Sequence, residues 1–110
     1  MPQISSLKSS PTFVAASFHA LSDPLRIQIL ELLQKQELCV CDICDSLNVP
    51  QSKLSFHLKN LKEASLVKSR QNGRWIYYSL NLSQLEILEQ YLAEYKNLHP
   101  LPAQLCENND

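Results

Sequence analysis

A single glycine stands in the whole chain of 110 residues, and it follows an asparagine at Asn72-Gly73. An Asn-Gly pair between two extended runs is the strongest short signal for a two-residue hairpin, because a type I′ turn needs positive φ at both central residues. Leu66 to Gln71 and Arg74 to Leu80 supply those runs. Elsewhere no glycine interrupts the chain, and frequent Leu, Gln and Lys favour helix. A mainly helical domain with one β-hairpin is therefore expected. The length suits one domain with a core of its own, small enough that a second subunit would help it.

Apolar spacing orders the helices. Met1 to Pro11 is polar and serine-rich, so a loose arm is expected over 1–11, a folded domain over 12–98 and a flexible acidic tail over 99–110. Phe13, Val14, Ala16, Phe18, Ala20 and Leu21 predict a first helix. Ser22-Asp23-Pro24 predicts a stop and restart, with an acid placed to cap and a proline suited to the first turn. Leu25, Ile27, Ile29, Leu30, Leu32 and Leu33 make the second helix apolar nearly all round, as a central helix requires. Arg26 opens it against the helix dipole, so a carboxylate or a phosphate should hold that cation. A short third helix is expected from about Asp42 to Leu47, ended by Asn48-Val49-Pro50. Leu54, Leu58 and Leu61 then place one narrow stripe on a fourth helix. Ser83 is expected to cap a last helix carrying a wide face of Leu85, Ile87, Leu88, Tyr91, Leu92 and Tyr95.

Short helix, tight turn and longer helix is the helix-turn-helix order, and a basic hairpin directly after it reads as a wing. The expected order is α-α-α-α-β-β-α, a winged helix-turn-helix. Off the apolar stripe lie Gln51, Ser52, Lys53, Ser55 and Phe56, types that hydrogen-bond to base edges, reach phosphate or touch thymine methyls. His57 fits a phosphate contact, an intrachain hydrogen bond or a base contact, and Phe56 fits DNA contact or packing. Lys59 adds a phosphate contact, and Arg70 and Arg74 flank the hairpin turn. Trp75, Tyr77 and Tyr78 alternate along a strand and are expected to pack against the helices.

Charge distribution agrees with a nucleic-acid partner although the net charge is only −1. From Gln51 to Leu80 six basic residues oppose the single acid Glu63, a block of +5, while the remainder carries −6. A basic block in an acidic chain suits a phosphate-binding face. Two copies joined through the first and last helices would cover their apolar faces and present two recognition helices to a two-fold site.

Three of the four cysteines fall within Cys39-Val40-Cys41-Asp42-Ile43-Cys44. Packing needs no such clustering, whereas a soft ion wants several thiolates at one point. Cys39 and Cys41 share a side if the chain is extended, and Cys41 and Cys44 share a helix face at i,i+3. No apolar run approaches the ~18 residues of a membrane span, so a reducing, cytoplasmic setting is expected, where clustered thiols are ligands or reactive groups rather than disulfides. Cys106 stands alone in the tail.

Taken together, Glu37-Leu38-Cys39-Val40-Cys41-Asp42-Ile43-Cys44, Ser55-Phe56-His57-Leu58 and Gly73-Arg74-Trp75-Ile76-Tyr77-Tyr78-Ser79-Leu80 resemble the ArsR/SmtB family of winged-helix metal-sensing repressors over about residues 13 to 97. The Cys-Val-Cys-Asp-x-Cys box is similar to that of arsenical-resistance repressors. That resemblance implies a dimer that sits on operator DNA and leaves when As(III) or Sb(III) binds Cys39, Cys41 and Cys44, with no organic cofactor. Relatives that sense cadmium or lead draw further cysteines from an N-terminal arm, and Met1 to Pro11 holds none. Zinc, nickel and cobalt sensors place Asp and His pairs on the last helix, where Ser83 to His99 offers only His99 and scattered glutamates. Ligand count points the same way, since three sulfurs satisfy a pyramidal As(III) or Sb(III) and a structural zinc normally takes four ligands. Zinc could still complete its shell with water, Asp42 or Cys106. A thiol redox enzyme is the other alternative; Cys41-x-x-Cys44 has the spacing, but no strand is expected before it and no glycine is present for an anion-binding loop.

Overall fold

Local chemistry sets the first helix boundaries in the computed structural model, which describes residues 11–105. Helix α1 spans Pro11–Ala20 and α2 spans Pro24–Leu33. Between them Asp23 is extended, and its carboxylate accepts the N–H groups of Leu25 at 2.8 Å and Arg26 at 3.3 Å. That satisfies two of the donors a helix start leaves orphaned. Burial pushes the Asp23 carboxyl up, but the backbone N–H groups of Arg26 and Leu25 outweigh it and hold the group below its ordinary value. The cap is thus complete at neutral pH and lost as the pH falls through that lowered value.

Strand β1 is only Leu38–Cys39, followed by α3 over Val40–Leu47, α4 over Gln51–Glu63, β2 over Val67–Asn72, β3 over Trp75–Leu80 and α5 over Leu82–Lys96. The three strands form an antiparallel sheet in the order β1-β3-β2. The expected helices and hairpin are present, and β1 adds an edge strand to the expected pair. The helix expected to start near Asp42 starts at Val40, because the chain stops being extended at Cys39.

Two turn details differ from expectation. Asn72 pairs with Trp75, so the hairpin loop is Gly73-Arg74 rather than Asn72-Gly73. Gly73 has φ of 65° while neither Asn72 nor Arg74 is left-handed, so the turn lacks the two positive φ values of type I′. The last helix begins at Leu82, not after Ser83, with Asn81 at the cap position; the Asn81 amide instead donates to the Ser65 carbonyl at 2.8 Å. Ser65 is itself left-handed, at φ 64°. The N–H of Leu66 returns to the Leu61 carbonyl and that of Ser65 to Lys62, a Schellman closure that turns α4 into the wing.

Ile29, Ile43, Leu54, Leu58, Leu61 and Leu66 are buried almost completely and join α2, α3, α4 and the start of the wing. Leu58→Ala should therefore cost about 2 to 5 kcal/mol of unfolding free energy by urea titration, and a loss under about 1 would show a site that collapses freely. One polar chain crosses this core. Gln84 Nε2 donates to Ser17 Oγ at 2.8 Å, and Ser17 Oγ donates to the Ala64 carbonyl at 3.4 Å, linking α5 and α1 to the end of α4. Along α5, Leu88 is buried and Leu85 and Tyr91 pack on the core, while Leu82, Leu92 and Tyr95 face outward with Leu98 beyond them.

Candidate metal centre and nucleic-acid interface

Sulfur chemistry and candidate DNA contacts meet on α3 and the turn behind it. Cys39 occupies the cap position of α3, and its thiol donates to Asp42 Oδ2 at 3.3 Å. Cys41 is exposed in the first turn; Cys44 lies one turn on, half-buried against the core. All three are free thiols. Burial pushes the Cys44 thiol up, and the neighbouring Cys41 and Asp45 push it further. The strand–helix junction thus brings the three sulfurs into one neighbourhood without gathering them. Among the described residues no three His, Cys, Asp or Glu side chains stand close enough to hold a metal ion. The donor set still suits a thiophilic centre, because Cys41 and Cys44 share a helix face and Cys39 has only Asp42 to leave. Cys106 lies outside the described residues, as does most of the 1–11 arm.

The Cys44 carbonyl closes the other end of α3. It accepts the N–H groups of Asn48 and Val49, the latter at 3.2 Å, with Asn48 left-handed at φ 56°. Pro50 then opens α4, its carbonyl accepting from Lys53 and Leu54 at 3.1 Å each. One of the three clustered cysteines therefore also forms, through its backbone, the turn between α3 and α4.

Along α4 the buried stripe is Leu54, Leu58 and Leu61, as expected, and His57 joins it. Gln51, Ser52, Lys53, Ser55, Phe56 and Lys59 are all exposed. His57 departs from the DNA-facing set. It is only 7% exposed, and its Nδ1 accepts the Nε–H of Arg26 at 3.1 Å. It lies three residues after Leu54 and four before Leu61, on the buried face of the helix, which carries the imidazole inward. Arg26 is equally buried, also donates to the Ala20 carbonyl at 3.5 Å and lies 6.0 Å from the Phe56 ring centroid. The cation expected to need a carboxylate or phosphate is instead held by an imidazole, a carbonyl and an aromatic face.

On the wing, Arg74 is exposed at the tip. Arg70 is not free: its Nε and one terminal nitrogen each bond a Glu37 oxygen at 2.8 Å, and its guanidinium stacks 4.8 Å from the Tyr77 centroid. The carboxylate raises the Arg70 pKa, and hydrogen bonding from Arg70 lowers that of Glu37. Tyr78 packs on the core as expected, but Trp75 is 46% exposed because it sits beside the hairpin turn, away from the core.

A cleft of about 160 Å³ joins the two regions, lined by Val40, Cys41, Gln51, Arg74, Trp75 and Ile76. The exposed thiol, the first residue of the recognition helix and the wing tip share its wall. Sequence spacing alone did not indicate this meeting. The β1 strand also precedes Cys41-x-x-Cys44, contrary to expectation, although no glycine loop follows it. No helix among the described residues is long and apolar enough to cross a membrane.

A family model described as "Bacterial regulatory protein, arsR family" matches residues 23–69. A transcriptional repressor SmtB homolog of Synechocystis is 37% identical over 94 residues, covering 86% of this chain and 70% of that protein. An arsenical resistance operon repressor of Bacillus subtilis is 48% identical over 65 residues, 58% of this chain and 62% of that one. Among solved structures, an ArsR-like transcriptional regulator from Rhodococcus superposes with a TM-score of 0.72 at 28% identity, covering 77% of this chain and 80% of that one.

Proposed function

The chain belongs to the bacterial arsR family of regulatory proteins, a family of transcriptional regulators and not of enzymes, and from that premise we propose that it is an arsenite- or antimonite-responsive repressor. It binds operator DNA as a dimer in the cytoplasm and is released when the metalloid binds Cys39, Cys41 and Cys44. The observation that carries the reading is the shared cleft, in which Cys41 stands beside Gln51 and Arg74. A ligand that moves the start of α3 disturbs the residues that would meet DNA.

Binding needs no preformed thiolate. Arsenous acid, As(OH)₃, exchanges its three hydroxides for three sulfurs, and the three thiol protons leave with them as water. For its part the chain releases Cys39 from Asp42 and brings the first turn of α3 towards it. That shift reaches α4 through the Cys44 carbonyl, which holds the turn into the recognition helix. A second reading, zinc, is favoured by the Asp42 carboxylate beside Cys39, which would complete a four-ligand set. Retention of operator in arsenite and release in zinc would select it.

For DNA, Lys53, Lys59 and Arg74 are assigned to phosphates, and Gln51, Ser52, Ser55 and Phe56 to base edges or positioning. Arg74→Ala should weaken binding to every sequence and reduce the salt slope by about one unit. Arg70→Ala should leave that slope unchanged, since Glu37 already neutralises the guanidinium. Gln51→Ala should cost roughly 1 to 3 kcal/mol on the operator and little on random DNA. Equal losses on both DNAs would remove Gln51 from the base readers. The functional reading is tested by a gel shift on the DNA upstream of its gene: the complex should form without arsenite and dissolve with it.

A further inference from the structure

The Glu37–Arg70 pair lies where the cysteine-bearing strand meets the wing. In the sheet register Cys39 is opposite Tyr77, and Tyr77 is opposite Arg70, so the three residues form one row across β1, β3 and β2. Directly opposed residues place their side chains on the same face of a sheet. Glu37, two residues before Cys39, reaches across this row to Arg70 with two bonds of 2.8 Å, while the guanidinium lies over Tyr77. The backbone tie between β1 and β3 is slight, only Leu38 with Tyr78 and Cys39 with Tyr77. The side-chain bridge is bidentate, the geometry that gives an arginine–carboxylate pair its direction.

We propose that Glu37 and Arg70 form a latch that makes the wing move with Cys39, so that inducer acts on the wing as well as on the recognition helix. This rests on the metalloid reading above. When Cys39 leaves Asp42 for the inducer, the two-residue edge strand can peel from β3. Closed, the latch transmits that displacement to β2 and so to the tip bearing Arg74. Open, it lets β1 move alone and leaves the wing in its DNA-competent position. Glu37 and Arg70 are positioning residues here, neither ligating inducer nor touching DNA.

The test uses Glu37→Gln, which keeps the shape and removes the charge. Arsenite affinity off DNA should stay within about twofold of wild type, and operator affinity without arsenite should not fall, since the freed Arg70 only adds a cation to the wing. The factor by which arsenite weakens operator binding should fall at least fivefold, a loss on the scale of a whole allosteric coupling. Trp75, the chain's one tryptophan, sits at the wing tip and gives a second readout. Its emission should change on arsenite addition in wild type and hardly at all in Glu37→Gln. Exchanging the partners, Glu37→Arg with Arg70→Glu, should restore both responses. Full coupling and a wild-type Trp75 response in Glu37→Gln would overturn the latch, as would failure of the exchange to restore them. Wild-type protein that keeps its operator in arsenite would overturn the functional reading itself, and the latch with it.

Discussion

Replacing Cys39, Cys41 and Cys44 together by serine should leave a repressor that holds its operator as wild type does and ignores arsenite. None of the three thiols is assigned to DNA, and α3 is closed through the Cys44 backbone carbonyl, which serine retains. A serine hydroxyl is a hard, neutral donor and cannot replace a thiolate towards a soft metalloid. Arsenite affinity should fall by more than the ~10 to 100-fold that losing even an outer-sphere partner of a metal site costs. Cys41→Ser alone should lose the response as well. Cys106→Ser should bind arsenite as wild type does, because three sulfurs already satisfy the pyramid. Isothermal titration with arsenite, paired with gel shifts on the same preparations, measures both halves. Release of the triple variant by arsenite would show that the inducer binds elsewhere.

Introducing a charge into the outward face of the last helix should have an effect of similar size through a different route. Leu92 and Tyr95 are one turn apart and exposed on α5, with Leu98 beyond them. A dimer that covers this face cannot bury an unpaired carboxylate there without a large desolvation cost. Leu92→Asp should therefore give a folded monomer, by circular dichroism and sedimentation, whose operator affinity falls ~100-fold or more, the scale on which linking two binding modules raises avidity. A Leu92→Asp protein that remains dimeric would place the interface elsewhere. One that is monomeric yet binds normally would dispose of the two-fold recognition model.

Periodicity and punctuation carried most of the fold. Leu54, Leu58 and Leu61 read as a buried stripe and are one, and Asp23-Pro24 read as a capped restart and is one. What escaped has identifiable causes. Strand β1 is two residues long, too short for any alternation, and exists only because β3 offers it a free edge. The hairpin register slipped by one because Gly73 alone supplies the positive φ, so the turn forms around Gly73-Arg74. His57 carried a usable signal: it lies three residues after Leu54 and four before Leu61, on the stripe itself. Arg26 did not, since its partner is 31 residues away and no local rule pairs a buried cation with an imidazole. Gln84 likewise sits four residues before the buried Leu88, polar in an apolar face, and its partner Ser17 is 67 residues distant.

At the site, the cysteine spacing marked Cys39, Cys41 and Cys44 as candidates along the chain but said nothing of their neighbours in space. Glu37 was visible only as the first residue of the box, and its engagement with Arg70 depends on the sheet closing between them. The cleft that sets Cys41 beside Gln51 and Arg74 depends on the packing of α3 against the wing, information no single segment contains.

Under the proposed mechanism inducer and operator compete through one chain conformation, and binding linkage makes that competition reciprocal. Whatever factor arsenite imposes on operator affinity, operator must impose on arsenite affinity, and couplings of this kind run from roughly 5 to 150-fold. The direct measurement is an arsenite titration of wild-type protein, free and saturated with operator, under one buffer and salt. The predicted result is weaker arsenite binding on the operator by the same factor that arsenite lowers operator affinity. Equal arsenite affinity in the two states would contradict it.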